Sequence, residues 1–230
     1  MTSVQPVRAS SRNTRYIATV ILAALAGWID AVSFVRWNGL YVSFMSGNTT
    51  SLAVSVATHD WLEAMRRASI LLAFVFGVAC GVLLGVAAQK RRAQFVPMGE
   101  AAVLMIAAVL SQLSISAAFV PLLLAVAMGM QNEALRRTGH YSIALTYVTG
   151  TIVRFGRGLA SASSGKGSWE HILPYLGVWF AFLAGALAGG VAAGMSGAGA
   201  ILLPALLLLI FAIWNPNKPI ALPRRPERSR

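Results

Sequence analysis

Charge is what this sequence has least of. Asp, Glu, Lys and Arg make up 11% of the 230 residues, against about a quarter in an ordinary soluble domain, so a fold wetted over its whole surface is excluded. Acid is scarcer than base: Asp and Glu number 7 against 19 for Lys and Arg, a formal net charge of +12. In a soluble chain that excess would point to nucleic acid. Here the bases gather at the ends of apolar runs and no basic stripe alternates with aromatics, so no nucleic-acid partner is expected. The one cysteine, Cys80, lies inside an apolar run. No disulfide framework within the chain follows from it and no metal knuckle is spelled out, so neither a metal nor another cofactor is expected. His59, His140 and His171 fall near segment ends, and no HExxH, P-loop, GxSxG or GxGxxG-after-strand arrangement occurs. With no nucleophile and base at workable spacing, the chain is not expected to be an enzyme.

What is abundant is apolar: 57% of the residues are hydrophobic, in runs that reach the roughly 20 residues a helix needs to cross about 30 Å of hydrocarbon. Eight segments emerge, near 16–35, 42–58, 68–89, 100–116, 119–135, 142–160, 172–195 and 198–214. The bases Arg8, Arg12 and Arg15 before the first of them imitate a secretory leader, but residues just after Ala26 recur in the second half, so this stretch is expected to stay as the first span.

Two segments are poor spans: 42–58 is crowded with Ser and Thr around Asn48, and 142–160 contains Arg154 and Arg157. If all eight segments crossed, Arg36, Lys90, Arg91, Arg92, Arg136 and Arg137 would lie outside. If the two polar segments dip in and return, only Arg36, Arg66 and Arg67 do, which better obeys the retention of bases on the cytoplasmic side. The fold class expected is therefore an all-α integral membrane protein, with about six transmembrane helices plus two polar re-entrant or broken helices.

The chain also repeats itself. Leu25 to Ala31 align with Ala127 to Glu133, so that Gly27 meets Gly129 and Asp30 meets Asn132. Met45 to Thr49 meet Val148 to Ile152, and Phe74 to Gly81 meet Phe182 to Gly189. Three spans and one polar element per repeat would invert the second copy relative to the first. Four parts follow: a cytoplasmic N-terminal tail 1–15, a first membrane repeat 16–118, a second repeat 119–214, and a basic cytoplasmic tail 215–230.

Asp30 stands inside the first apolar segment, where a carboxylate costs about 2.5 to 3.5 kcal/mol unless it faces a partner or water. Ser46, Gly47, Asn48 and Thr49 supply hydroxyls and a glycine that permits a break, and Thr149, Gly150 and Thr151 repeat the idea with Gln131, Asn132 and Glu133 beside them. Two broken elements meeting near the midplane would line a solute or ion site, with Asp30 binding a cation or proton. The bland alternative is that these hydroxyls bond back to helix carbonyls. Gly77, Gly81 and Gly85, with Gly185 and Gly189, allow close helix packing, within or between protomers. Arg154 and Arg157 are expected to snorkel to the cytoplasmic surface.

Gly27-Trp-Ile-Asp-Ala-Val-Ser-Phe34, Ser43-Phe-Met-Ser-Gly-Asn-Thr49, Gly129-Met-Gln-Asn132 and Thr149-Gly-Thr151 resemble the YoaK-like (UPF0700-type) family of bacterial transmembrane proteins, a domain of unknown function, over 16–214. The resemblance implies a bacterial inner-membrane protein of about six spans with both termini cytoplasmic. Glu133 and Thr151 depart from it, standing where Ala and Asn are expected. The leading expectation is a small-solute or ion transporter or channel in the lipid bilayer with a polar site at the repeat interface. The competing one is a non-transporting scaffold or sensor that forms homo-oligomers through Gly-lined helices.

Overall fold

The computed structural model describes residues 7–113, 118–134, 148–165, 172–195 and 198–214. Among them are eight α-helices and no strand: α1 Val7–Arg36, α2 Met45–Ala57, α3 Trp61–Ala88, α4 Arg92–Leu110, α5 Phe119–Ala134, α6 Val148–Ser163, α7 Leu173–Met195 and α8 Gly199–Trp214. Four carry stretches long and apolar enough to cross a bilayer, within α1, α3, α4 and α7, while α5 and α8 are apolar but shorter. Many large apolar side chains face outward, among them Leu72, Phe76, Leu83, Leu187 and Ile210, as lipid rather than water requires. Residues 142–147 of the second polar segment and the tail 215–230 lie outside the described residues.

Local chemistry moves two boundaries. The Asp60 side chain accepts a hydrogen bond from the Glu63 amide at 3.1 Å and so caps α3, which starts at Trp61 rather than near 68. A turn at Gln89–Arg91 leads straight into α4, which starts at Arg92 rather than near 100. Glu100, which the sequence places at a segment end, is thereby in mid-helix.

The hydroxyl-rich α2 is helical because its side chains serve its own backbone. Thr49 donates to the Met45 carbonyl at 2.8 Å and Thr50 to the Ser46 carbonyl at 3.0 Å, each one turn back. In α8, Pro204 has no amide to offer the carbonyl one turn behind it. That carbonyl, on Ala200, takes the Trp28 indole N–H at 2.7 Å instead.

Two helix pairs hold the bundle together, and glycine sets both. A Cβ on Gly27 would land on the Phe182 carbonyl, one on Gly185 on Ala24, and one on Gly189 on Trp28, so α1 and α7 run parallel with backbones touching. In α3 and α5 a Cβ on Gly129 would land on the Phe74 carbonyl, one on Gly77 on Val126, and one on Gly81 on Met130. Each α5 residue of the second set lies 102 positions after its α1 counterpart, and each α7 residue 108 after its α3 counterpart. The same interface is therefore made twice in the same register. Small residues matter at such contacts because lipid gives no hydrophobic drive for association, leaving close packing to hold the helices.

Helices α4 and α8 pack on each other. Their buried faces also match, Val96, Pro97, Glu100, Ala101, Leu104, Ala107 and Ala108 on α4 against Ala200, Ile201, Pro204, Ala205, Leu208, Phe211 and Ala212 on α8. Each residue of the second set follows its counterpart by 104 positions, and Glu100 corresponds to Pro204.

Candidate functional site

Polar side chains gather at two places. The first is where α1 ends and α3 begins. Asp30 is 5% exposed. One of its carboxylate oxygens accepts from the amides of Val42 and Ser43, at 2.7 and 2.8 Å, and the other from the Ser43 hydroxyl at 2.6 Å. These donors belong to the strap between α1 and α2, so Asp30 holds the approach to α2. Asn48 closes the same strap, its amide donating to the Tyr41 carbonyl at 2.6 Å and its oxygen accepting from the Tyr41 amide at 3.3 Å.

Beneath the strap lies Arg67, a buried cation. It donates to Glu63 at 2.7 Å, the Gly39 carbonyl at 2.8 Å, the Asn48 side-chain oxygen at 3.2 Å and the Asn38 carbonyl at 3.4 Å. Sequence reasoning counted Arg67 as an outer-loop charge; the signal that could have found it is Glu63 one helical turn before it. The strap needs this cation because Asn38 and Gly39 turn with positive φ, 51° and 75°, leaving carbonyls that no helix satisfies.

The second place lies at the opposite end of α3. Glu133 on α5 is ion-paired with Arg92, whose Nε also donates to the Glu133 carbonyl at 3.1 Å. Gly85 leaves room for that guanidinium, since a Cβ there would meet it at 2.9 Å. Gln131, fully buried, donates to the Leu22 carbonyl of α1 at 3.3 Å while its own oxygen has no partner. Asn132 donates to the Met128 carbonyl of its own helix at 3.0 Å.

The structure thus brings Asp30 together with Asn48, but leaves Ser46 and Thr49 exposed on α2, with Thr149 exposed and Thr151 buried on α6. Among the described residues the two hydroxyl-rich elements do not meet: α2 packs on α3, α6 packs on α7, and the two sit at opposite ends of the bundle. The physical reason is that each folds back along the start of the long helix that follows it, Asn48 reaching Arg67 of α3 and Arg154 reaching Tyr175 of α7. Arg154 and Arg157 are exposed on α6, with the Arg154 guanidinium 5.7 Å over the Tyr175 ring of α7. No group of three or more metal-ligating side chains occurs among the described residues. A groove of about 710 Å³ between α1, α7 and α8 is walled by Trp28, Leu187, Val191 and Leu203, and its apolar lining offers nothing to an ion.

Sequence reasoning also passed over Glu100. It is fully buried, and neither carboxyl oxygen has a hydrogen-bond partner. With Gln131 and Ser33 it supplies the unpartnered buried side-chain oxygens of the described core.

Residues 18–214 match the family model described as a protein of unknown function, DUF1275. The chain is similar to a UPF0700 transmembrane protein of Rhizobium meliloti strain 1021, 32% identical over 218 residues that cover 91% of each chain. It is also similar to the UPF0700 transmembrane protein YoaK of Bacillus subtilis strain 168, 27% identical over 138 residues, 57% of this chain and 61% of that one. No solved structure matches.

Proposed function

The chain belongs to the DUF1275 family, and from that premise and the packing described above we propose that it is a small-solute or ion transporter of the bacterial inner membrane, built as two inverted repeats. The observation that carries the reading is the double use of one interface. Helix α1 runs parallel to α7 and α3 parallel to α5. Arg67, near the start of α3, bonds to the strap that follows the end of α1, so α3 starts where α1 ends and runs in the opposite direction. Its partner α5, equivalent to α1, therefore points the opposite way.

Six crossings result, by α1, α3, α4, α5, α7 and α8, with α2 on one surface and α6 on the other. Arg91, Arg92, Arg154 and Arg157 fall on the side of the N-terminus, and Arg36, Arg66 and Arg67 on the other, which makes the N-terminal side cytoplasmic. In transporters built from inverted repeats one bundle of helices moves against another and opens a shared interior to one face and then the other; the glycine-locked pairs α1–α7 and α3–α5, each with one helix from either half, are the bodies that would move. Unpartnered polar oxygens on α1, α4 and α5 fit such an interior better than an inert core, where a buried polar group without a partner costs about 1 to 3 kcal/mol.

For the scaffold alternative, Gly77, Gly81, Gly185 and Gly189 are taken up by helices of the same chain, while the buried Asp30, tied to the strap, is the observation in its favour. Flux of small solutes and ions into proteoliposomes tests the function, and absence of any flux across a broad screen counts against it. Single cysteines test the architecture in a Cys80→Ser background. His59→Cys, after α2, is expected to react with an impermeant maleimide from the periplasm, and Ser164→Cys, after α6, only once the membrane is opened. Labelling of both from one side rules out inverted repeats.

A further inference from the structure

We propose that Glu100 is a proton-binding site at mid-depth in the membrane. The residue lies eight positions past Arg92 and ten before Leu110 on α4, about 12 and 15 Å along the helix axis, so the carboxyl is far from either interface. Its side chain is wholly enclosed and both oxygens lack a partner. Charged and titratable groups on the elements packed against α4 do not reach it. On α3 they are Glu63, Arg66, Arg67 and Cys80, of which the first three are bonded to one another or to the strap at the far end. On α5 there is Glu133, ion-paired with Arg92 of α4 itself, the turn before α4 carries the exposed Arg91 at the helix end, nine positions before Glu100, and α8 carries none.

An ionised carboxylate enclosed without a counter-charge or donor is strongly disfavoured. A proton neutralises the group at the least rearrangement, and a metal cation is a poor fit because a hard ion needs several oxygen ligands. The neighbouring polar group agrees. A Cβ on Gly99 would meet the Met130 methyl at 2.9 Å, so the turn of α4 that holds Glu100 touches a side chain from the turn of α5 that holds Gln131. Gln131 keeps an oxygen unused while its nitrogen is tied to α1. A movement of α4 against α5 that brings the two side chains together gives the Glu100 hydroxyl an acceptor, and one that admits water lets the proton leave. The role of this proton in coupling rests on the transport reading; the site does not.

Infrared spectra of the purified full-length protein in an ester-free detergent at neutral pH decide the matter. The wild type is expected to show a carboxylic-acid C=O stretch that moves when its glutamates carry ¹³C in the side-chain carboxyl. The band should vanish in Glu100→Gln and persist in Asp30→Asn. Absence of an acid band in the wild type overturns the site, as does a band that ignores the isotope or survives in folded Glu100→Gln. Should that variant fail to fold, the isotope shift in the wild type still assigns the proton to glutamate or denies it. A glutamic-acid band in a protein that moves no proton or solute in proteoliposomes sinks the transport reading and leaves the proton site standing.

Discussion

Gly27→Val is expected to leave almost no folded protein, and Gly129→Val to match it. Both positions put a backbone against the carbonyl of a neighbouring helix, Phe182 in one case and Phe74 in the other, where even a Cβ overlaps. Backbone cannot swing aside as a side chain does, so the helices must separate. Overpacking costs about 1 to 3 kcal/mol where side chains can yield and more where they cannot; these two should lie at or above the upper end. Thermal unfolding in detergent and the yield of monodisperse protein by size exclusion measure both. Gly190→Val is the control: nothing lies within 4 Å of a Cβ there, and its change should stay within about 0.5 kcal/mol. Tolerance at Gly129 with intolerance at Gly27 would break the equivalence of the two interfaces.

Arg67→Ala should be the most damaging loss of a polar side chain. The guanidinium binds Glu63, the side-chain oxygen of Asn48 and two strap carbonyls, and its side chain is 8% exposed. Truncation leaves Glu63 without one of its two cations and strands the carbonyls of Asn38 and Gly39. Breaking a buried charge pair typically costs about 3 to 5 kcal/mol. Arg67→Lys should recover less than half of that, since one ammonium cannot span four acceptors spread over the strap and two helices. Chemical unfolding gives the magnitude, and limited proteolysis within 37–44 gives the location. An Arg67→Ala protein as stable and as protease-resistant as the wild type would mean the strap holds itself.

Much of the architecture was legible because membrane spans obey simple rules. Runs without charge read as apolar helices, and the hydroxyl-rich 42–58 and the basic 142–160 stood apart from them as polar ones, as α2 and α6 are. The Gly27 and Gly129 correspondence in the sequence reappears as matching contacts, since a residue with no side chain leaves its mark wherever backbones touch. The helix starts were less legible. Arg92 reads as a loop residue by charge, yet an interfacial arginine is at home in a helix end, and the eight-residue shift it caused hid Glu100 at a segment boundary. Asp30 was readable as an intramembrane acid but not by its partners. Those are the amides of Val42 and Ser43, and no side-chain pattern announces a backbone donor. Where α2 and α6 would lie depended on which helix each folds against, a tertiary choice that composition does not encode.

The correspondence of Glu100 with Pro204 bears on how such a molecule can be made. A pair of identical first halves, inserted in opposite orientations, would bring two acids to the one contact that α4 makes with α8. Joining the halves in a single polypeptide lets one position keep its carboxyl while the other becomes an imino acid that frees a carbonyl for Trp28. On the inverted-repeat reading, having two distinct halves is what allows the contact of α4 with α8 to differ between them, and separately expressed halves should reassemble only as the unlike pair.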